Sequence, residues 1–190
     1  VVPGNRERGL DATLGTALLV DPKTGATRGT LDGASLTALR TGAVCGLATD
    51  LLAPADVHTA ALIGAGRQAR AILAAIDHVR ALECCRIYAR TPAHVDAFIE
   101  AMQPRVRPRL VRASSPAEAV VGAQVVSAAT GALEPVFPGE ALEARVHVNA
   151  IGSFRPDMRE LDDATLRGAT IVVDQRAAAL DEAGELLAAI

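Results

Sequence analysis

The residues most suggestive of chemistry form a short run, Gly64-Ala65-Gly66-Arg67-Gln68-Ala69. It follows an apolar segment at 60–63 and opens a segment with helical periodicity near Gln68. In a strand–turn–helix unit, the first glycine forms the tight turn, and the second lets the backbone approach a pyrophosphate. The first helical amides offer N–H groups and partial positive charge to phosphate oxygens. The run therefore predicts a dinucleotide-binding turn. A glycine-rich turn without a ligand is the alternative.

The end of the next predicted strand indicates which dinucleotide binds. Ala89, Arg90 and Thr91 stand about 20 residues past the motif, where a site for NAD usually has an acidic residue that binds the ribose 2′-hydroxyl. An arginine can pair with a 2′-phosphate, and the missing carboxylate removes repulsion against it. Thr91 adds a hydroxyl donor. We therefore predict NADP(H) in preference to NAD(H); a surface arginine at a strand end is the alternative.

Strands and helices alternate from residue 58 onward, which predicts an α/β domain with a doubly wound parallel sheet of the Rossmann type. The predicted strands are 58–63, 84–89, 106–111, 124–128, 146–150 and 170–174. The predicted helices are 68–79, 93–102, 116–121, 161–166 and one from about 176.

A hairpin of strands 14–20 and 26–31 precedes this series, with a turn at Asp21-Pro22-Lys23-Thr24-Gly25. Two strands bury little apolar surface alone, so the hairpin is predicted to belong to a second, incomplete domain. The predicted domains are 1–34 for part of that domain, 35–55 for a connecting helix and 56–190 for the Rossmann domain. The chain has no initial Met, and we expect it to be a piece of a larger protein.

The connecting helix is predicted over 35–52, with Ser35 as its N-cap. Arg40 lies on the same helical stripe as four apolar residues, and a guanidinium on an apolar face needs a partner. We predict an anion site facing a cleft; an arginine that extends to solvent is the alternative. The apolar members of the stripe are Leu36, Val44, Leu47 and Leu51.

Composition excludes several classes of partner. The formal net charge is -3, and the basic run from Arg105 to Arg112 has no interleaved aromatic residues, so nucleic acid is not expected. No uncharged apolar run reaches the roughly 18 residues of a membrane span. The four histidines lack metal-ligand spacing, so no metal is predicted. The three cysteines indicate reduced, buried thiols in a cytoplasmic protein.

Several segments together resemble the ornithine cyclodeaminase/mu-crystallin family over essentially the whole chain. They are Leu36-Thr37-Ala38-Leu39-Arg40-Thr41-Gly42-Ala43, the glycine run, Tyr88-Ala89-Arg90-Thr91, Val148-Asn149-Ala150-Ile151-Gly152-Ser153, Arg155-Pro156-Asp157-Met158-Arg159-Glu160-Leu161-Asp162 and Asp181-Glu182-Ala183-Gly184-Glu185-Leu186.

The resemblance implies a homodimer, in which the segments flanking the Rossmann domain form a dimerising and substrate-binding domain. It implies that Arg40 binds the substrate carboxylate beside the cofactor, and that Thr130 and 149–152 lie near the nicotinamide half. From their position after that loop, we predict that Asp157, Arg159 and Glu160 hold it by ion pairs; contact with substrate is the alternative. The predicted cofactor-binding residues are Arg40, Thr41, Gly64, Ala65, Gly66, Arg67, Gln68, Ala89, Arg90, Thr91, Thr130, Asn149, Ile151 and Gly152.

Phe154 marks a departure from the cyclodeaminases, which carry a proton-transferring Asp there. The family resemblance then implies an NADP(H)-dependent reductase of a small imino acid, such as the cyclic ketimine pyrroline-2-carboxylate. The catalytic acid is not assigned. The alternatives are an ornithine cyclodeaminase or amino-acid dehydrogenase using NAD, and a non-catalytic, crystallin-like protein that binds NADPH or small molecules.

Overall fold

The computed structural model of the protein describes residues 3–9 and 14–189. Its contacts divide the chain into two units, Val1–Thr41 and Gly42–Ile190. The first unit contains a 3-10 helix at Pro3–Arg8, strands β1 (Thr16–Val20) and β2 (Thr27–Asp32), and the start of helix α1 (Gly33–Leu52). The predicted domain boundaries at residues 34 and 55 stay a prediction.

The predicted hairpin is confirmed. β1 and β2 pair antiparallel, with Thr16 opposite Asp32. In the turn, the Asp21 carboxylate accepts hydrogen bonds from the backbone N–H groups of Lys23 at 2.9 Å and Thr24 at 3.1 Å. Gly25 has φ +72°, a conformation that glycine adopts without steric cost. The turn chemistry read from the sequence therefore forms as expected.

Helix α1 corrects two predictions. It begins at Gly33, and the Asp32 carboxylate accepts from the Ser35 N–H at 2.7 Å, so Asp32 and not Ser35 is the cap. The apolar stripe of Leu36, Val44, Leu47 and Leu51, with Arg40, is exposed in the described structure.

The buried face of α1 in the second unit carries small residues instead. A Cβ on Gly42 would lie 2.7 Å from the Ala71 carbonyl, and one on Gly46 would lie 3.0 Å from the Ala75 Cβ. Both alanines belong to helix α2 (Arg67–Val79). Small residues allow the two helices to approach closely, which explains why size and not hydrophobicity decided the buried face.

The second unit is the predicted α/β domain. Its parallel sheet has the order β5-β4-β3-β6-β7, with β3 in the centre. The remaining elements are β3 (Thr59–Ile63), β4 (Cys84–Tyr88), α3 (Pro92–Met102), β5 (Arg109–Arg112), α4 (Pro116–Val120), β6 (Val125–Ala128), β7 (His147–Ala150), α5 (Asp163–Leu166), α6 (Arg176–Glu182) and α7 (Gly184–Ala189), with 3-10 helices at Gln103–Arg105 and Gly139–Ala141.

The sheet has a separate core on each face, which confirms that it is doubly wound. Along β3, Ala60 and Leu62 belong to the cluster that includes α2 and α3, while Ala61 and Ile63 belong to the one that includes α4. All four are at most 4% exposed. A strand buried on both faces is a continuous apolar run, and this is why 60–63 shows no polar alternation.

Two strand predictions need correction. β5 begins at Arg109 and not at 106, because the Asp77 carboxylate holds Arg107 through the backbone N–H and the guanidinium, both at 3.1 Å. The run 170–174 is no strand. It pairs with no strand in the described part of the chain, and its residues Ile171 and Val172 are 51% and 61% exposed.

No helix among the described residues is long and apolar enough to cross a membrane.

Candidate functional site

The glycine turn lies where the carboxyl ends of three strands meet. Gly64 has φ +112°, and its N–H donates to the Tyr88 carbonyl at the end of β4, at 2.8 Å. A Cβ on Gly64 would lie 2.5 Å from the carbonyl oxygen of Ala129, just after β6. Gly64 is therefore required by the backbone itself. The turn occupies the point between β3 and β6 where the strand order reverses, which is the usual ligand position in such sheets.

Gly66 has a different environment. It is the N-cap of α2, with φ −89° and ψ −169° and no side-chain cap, and a Cβ there would meet nothing within 4 Å. The first turn of α2 has no acidic residue. The start of α2 therefore carries partial positive charge and leaves space for a ligand at Gly66, as a pyrophosphate site requires.

The next two residues of the predicted motif also fit this interpretation. Ala69 is fully buried, which gives the close packing of helix on strand expected at the third small position. The side-chain oxygen Oε1 of Gln68 is buried without a hydrogen-bond donor in the described structure. A buried acceptor without a donor is unusual, and a hydroxyl group of a bound dinucleotide would supply one.

The end of β4 opens into a groove of about 350 Å³. Arg90 is exposed at this groove, and Thr91 is the N-cap of α3 without using its hydroxyl as a cap. A second guanidinium, Arg112 at the end of β5, is held by both carboxylate oxygens of Asp96 at 3.0 and 2.8 Å. The groove is lined by Tyr88, Ala89, Arg90, Pro92, Val95, Arg112, Ala113 and Ser114.

The loops after β6 and β7 are joined by one buried carboxylate, Glu160, which is 0% exposed. Its Oε1 accepts from the backbone N–H and the hydroxyl of Thr130, both at 2.6 Å. Its Oε2 accepts from the backbone N–H of Ile151 at 3.1 Å and of Gly152 at 2.6 Å. Burial raises the pKa of Glu160, while these hydrogen bonds act to lower it.

Thr130, Ile151 and Gly152, predicted to lie near the nicotinamide half, are thus brought together. A Cβ on Gly152 would collide with the Thr130 carbonyl and the Glu160 carboxylate, so only glycine fits there. The sequence placed Glu160 among residues that pair ionically or contact substrate, and missed that it accepts hydrogen bonds from both loops. The available signal in the sequence was an acidic residue close to two apolar ones, Met158 and Leu161. Both apolar residues are buried in the structure.

The Asn149 side chain is engaged inside the domain. Its Nδ2 donates to the hydroxyls of Thr49 at 3.1 Å and Ser127 at 3.3 Å, and its Oδ1 lies 3.1 Å from His147 Nε2. Burial lowers the pKa of His147, against the effect of its hydrogen bond with Asn149. The predicted contribution of Asn149 to cofactor binding stays a prediction.

Arg40, exposed, and Thr41, buried, belong to the first unit, and their roles stay predictions. Phe154 is 58% exposed on the loop after β7. Beside it, Arg155 and Asp157 form a two-pronged ion pair at 3.0 and 2.9 Å, which agrees with ion pairs bracing this loop.

Comparison with known proteins gives one family. A family model described as the ornithine cyclodeaminase/mu-crystallin family matches residues 1–189. Delta(1)-pyrroline-2-carboxylate reductase of Bacillus cereus is 40% identical over 187 residues, which cover 98% of this chain and 57% of that protein. Mouse ketimine reductase mu-crystallin is 39% identical over 172 residues, 90% of this chain and 54% of that protein.

A solved structure is similar in fold throughout. It is the delta(1)-pyrroline-2-carboxylate reductase of Thermococcus litoralis in complex with NADH and L-proline, with a TM-score of 0.94 and 37% identity. The match covers 98% of this chain and 58% of that chain. The chain therefore spans a little over half the length of these relatives.

Proposed function

Because this chain belongs to the ornithine cyclodeaminase/mu-crystallin family, we propose that it reduces the C=N bond of a small cyclic imino acid to the amino acid, using a nicotinamide cofactor. One observation carries the proposal. The glycine turn and the loops after β6 and β7 meet at the carboxyl end of one parallel sheet, in a chain that resembles pyrroline-2-carboxylate reductases over 98% of its length.

The residues of this chain would bind and orient the reactants. The first amides of α2 bind the pyrophosphate, and the loops at Thr130 and Gly152 border the nicotinamide half. Arg40 is the proposed partner of the substrate carboxylate, by its resemblance to the family position. A bound reduced nicotinamide supplies hydride to the imine carbon, while the C=N electron pair takes up a proton at nitrogen.

Phe154 supports a reductase over an ornithine cyclodeaminase. A phenyl ring can neither donate nor accept a proton, whereas ring closure with loss of ammonia requires proton transfer in the active site. Its 58% exposure leaves the ring on the surface of the loop after β7. Incubation with L-ornithine and NAD should therefore yield neither proline nor ammonia, while pyrroline-2-carboxylate should consume reduced cofactor.

We propose further that NADP(H) is preferred over NAD(H). The support is the pair of guanidinium groups, Arg90 and Arg112, that line the groove at the ends of β4 and β5. A 2′-phosphate in this groove would form charge-assisted hydrogen bonds with Arg90 and with the Thr91 hydroxyl. NADH lacks that phosphate and would gain none of this binding energy.

Calorimetric titration of the purified protein with NADPH and NADH tests this preference. We expect NADPH to bind at least tenfold more tightly, since such a hydrogen bond contributes about 1.5–3 kcal/mol. Arg90→Ala should bring the two affinities close together. Arg109→Ala is the matched control, because Arg109 lies at the opposite end of β5, and it should leave the ratio unchanged. Equal affinities in the wild type, or an unchanged ratio in Arg90→Ala, would refute the preference.

Turnover is tested separately from binding. Loss of NADPH absorbance with pyrroline-2-carboxylate would support the reductase. Tight NADPH binding without oxidation by any cyclic imino acid tried would favour a binding protein instead. The homodimer and the cytoplasmic location stay expectations from the sequence, and light scattering on the purified protein checks the first.

A further inference from the structure

Glu160 is a fully buried acidic residue that the proposed chemistry leaves unused. It is 0% exposed and lies behind the loops after β6 and β7. All four of its donors are neutral: three backbone N–H groups and the Thr130 hydroxyl. Removing a carboxylate from water is costly, and a buried one persists only when hydrogen bonds replace hydration.

The distribution of the four hydrogen bonds is specific. Among the described residues, each oxygen accepts from one loop: Oε1 from Thr130, and Oε2 from Ile151 and Gly152. The backbone of the same residue is held in turn, because the Glu160 N–H donates to the buried Glu185 of α7 at 3.4 Å. The carboxyl group therefore fixes the separation of two loops that come from neighbouring strands.

We propose that Glu160 is a positioning residue that sets the surface on which the nicotinamide half is bound. This inference rests on the proposed function, since it assigns that surface to the nicotinamide ring. Glu160 acts through Thr130, Ile151 and Gly152, which border the ring, and does not itself touch the cofactor. Its removal therefore weakens binding of the ring and leaves binding of the adenosine phosphates unchanged.

Glutamine is an informative replacement because it keeps the size and loses two acceptor sites. Each of the two carboxylate oxygens accepts from two donors, whereas glutamine has an NH₂ group, itself a donor, in place of one oxygen. That NH₂ would face either the N–H groups of Ile151 and Gly152 or the N–H of Thr130. One loop must then move away in either orientation.

The matched control is Asp162→Asn. Asp162 is a neighbouring carboxylate that also accepts from backbone N–H groups, those of Gly139 at 2.8 Å and Thr165 at 2.8 Å. It contacts neither of the two loops through these bonds. A general loss of stability should affect both variants, whereas a loss of loop position should affect Glu160→Gln alone.

The experiment compares two ligands by calorimetry: NADPH, and 2′-phospho-ADP-ribose, which lacks the nicotinamide ring. For the wild type we expect NADPH to bind more tightly, and the ratio of the two affinities measures the contribution of the ring. Glu160→Gln should reduce this ratio by about tenfold, the value for one lost hydrogen bond to a charged group. The affinity for 2′-phospho-ADP-ribose should stay within about twofold, and Asp162→Asn should keep the wild-type ratio.

Other outcomes separate the two proposals. A wild type that binds neither of these ligands refutes the preference for NADP(H), and one that also fails to bind NADH refutes the proposed function. A wild type that binds both equally, or a Glu160→Gln variant with an unchanged ratio or an equal loss for both ligands, overturns the role of Glu160 alone. Should Glu160→Gln fail to fold, Thr130→Val removes one of the four hydrogen bonds with little change in shape. It must then lower the ratio, and an unchanged ratio overturns the inference.

Discussion

Replacing each glycine of the turn by alanine should affect a different property: Gly64→Ala should lower stability, and Gly66→Ala should lower the affinity for NADPH. Gly64 has φ +112°, and a Cβ there would lie 2.5 Å from the Ala129 carbonyl oxygen. A non-glycine residue in such a conformation costs about 1–3 kcal/mol, and forced overlap in a packed interior costs about the same again. Gly64→Ala should therefore lose about 2–6 kcal/mol of unfolding free energy.

Gly66→Ala should fold almost normally. Its φ of −89° is open to any residue, and a Cβ would meet nothing within 4 Å. Loss of a favourable N-cap residue costs at most about 1 kcal/mol. The added methyl group would instead occupy the space through which a pyrophosphate approaches the α2 amides. We expect NADPH affinity to fall by at least tenfold, which corresponds to about 1.4 kcal/mol.

Two measurements on both variants check this pair of expectations. Urea unfolding followed by circular dichroism gives the stability change, and calorimetric titration with NADPH gives the affinity. Gly64→Ala with wild-type stability would contradict the strained turn. Gly66→Ala with wild-type affinity would show that no diphosphate lies at the start of α2.

Two further predictions concern titratable groups. Burial raises the pKa of the Cys45 thiol to about 11 and that of the Cys85 thiol to about 12. A disulfide reagent at mildly alkaline pH should therefore modify at most the half-buried Cys84 in the native protein, and all three cysteines after unfolding. Fast modification of all three cysteines in the native protein would contradict this. Burial acts to raise the pKa of Asp162, but hydrogen bonds from Gly139 and Thr165 outweigh it and leave the pKa below 3.8. The stabilisation by Asp162 is therefore complete above pH 3.8 and is lost as the pH falls through the lowered pKa. Asp162→Asn should lower the free energy of unfolding by about 1 kcal/mol at neutral pH, and by progressively less below pH 3.8. Urea unfolding across this range checks it, and a pH-independent difference would refute it.

The local part of the site could be predicted from the sequence, and the reason is physical. Gly64 is required by the backbone path and Ala69 by the packing of helix on strand, while Gly66 leaves space for a ligand, and all three lie within six consecutive residues, so their spacing indicates the turn. The alternation of strands and helices likewise predicts the parallel sheet, because each element is specified by its own period.

The features that the sequence did not predict depend on contacts between residues that are distant in sequence. The apolar stripe of α1 is exposed in the described structure, and the close contact with α2 is made by Gly42 and Gly46 instead. The run 170–174 has the composition of a strand and lacks a paired neighbour in the described structure. For Glu160, no local pattern reveals that one side chain will accept from two separate loops.

The hydrogen bonds of the two halves of the site differ in where their residues lie along the chain. The Gly64 N–H donates to Tyr88 of the next strand, whereas Glu160 accepts from Thr130 and Asn149 donates to Thr49, so these bonds need residues that follow β6. Because the chain grows from its N-terminus, the turn at Gly64 should form before the loops after β6 and β7, so the half that we propose to bind the diphosphate should exist before the half that we propose to bind the nicotinamide.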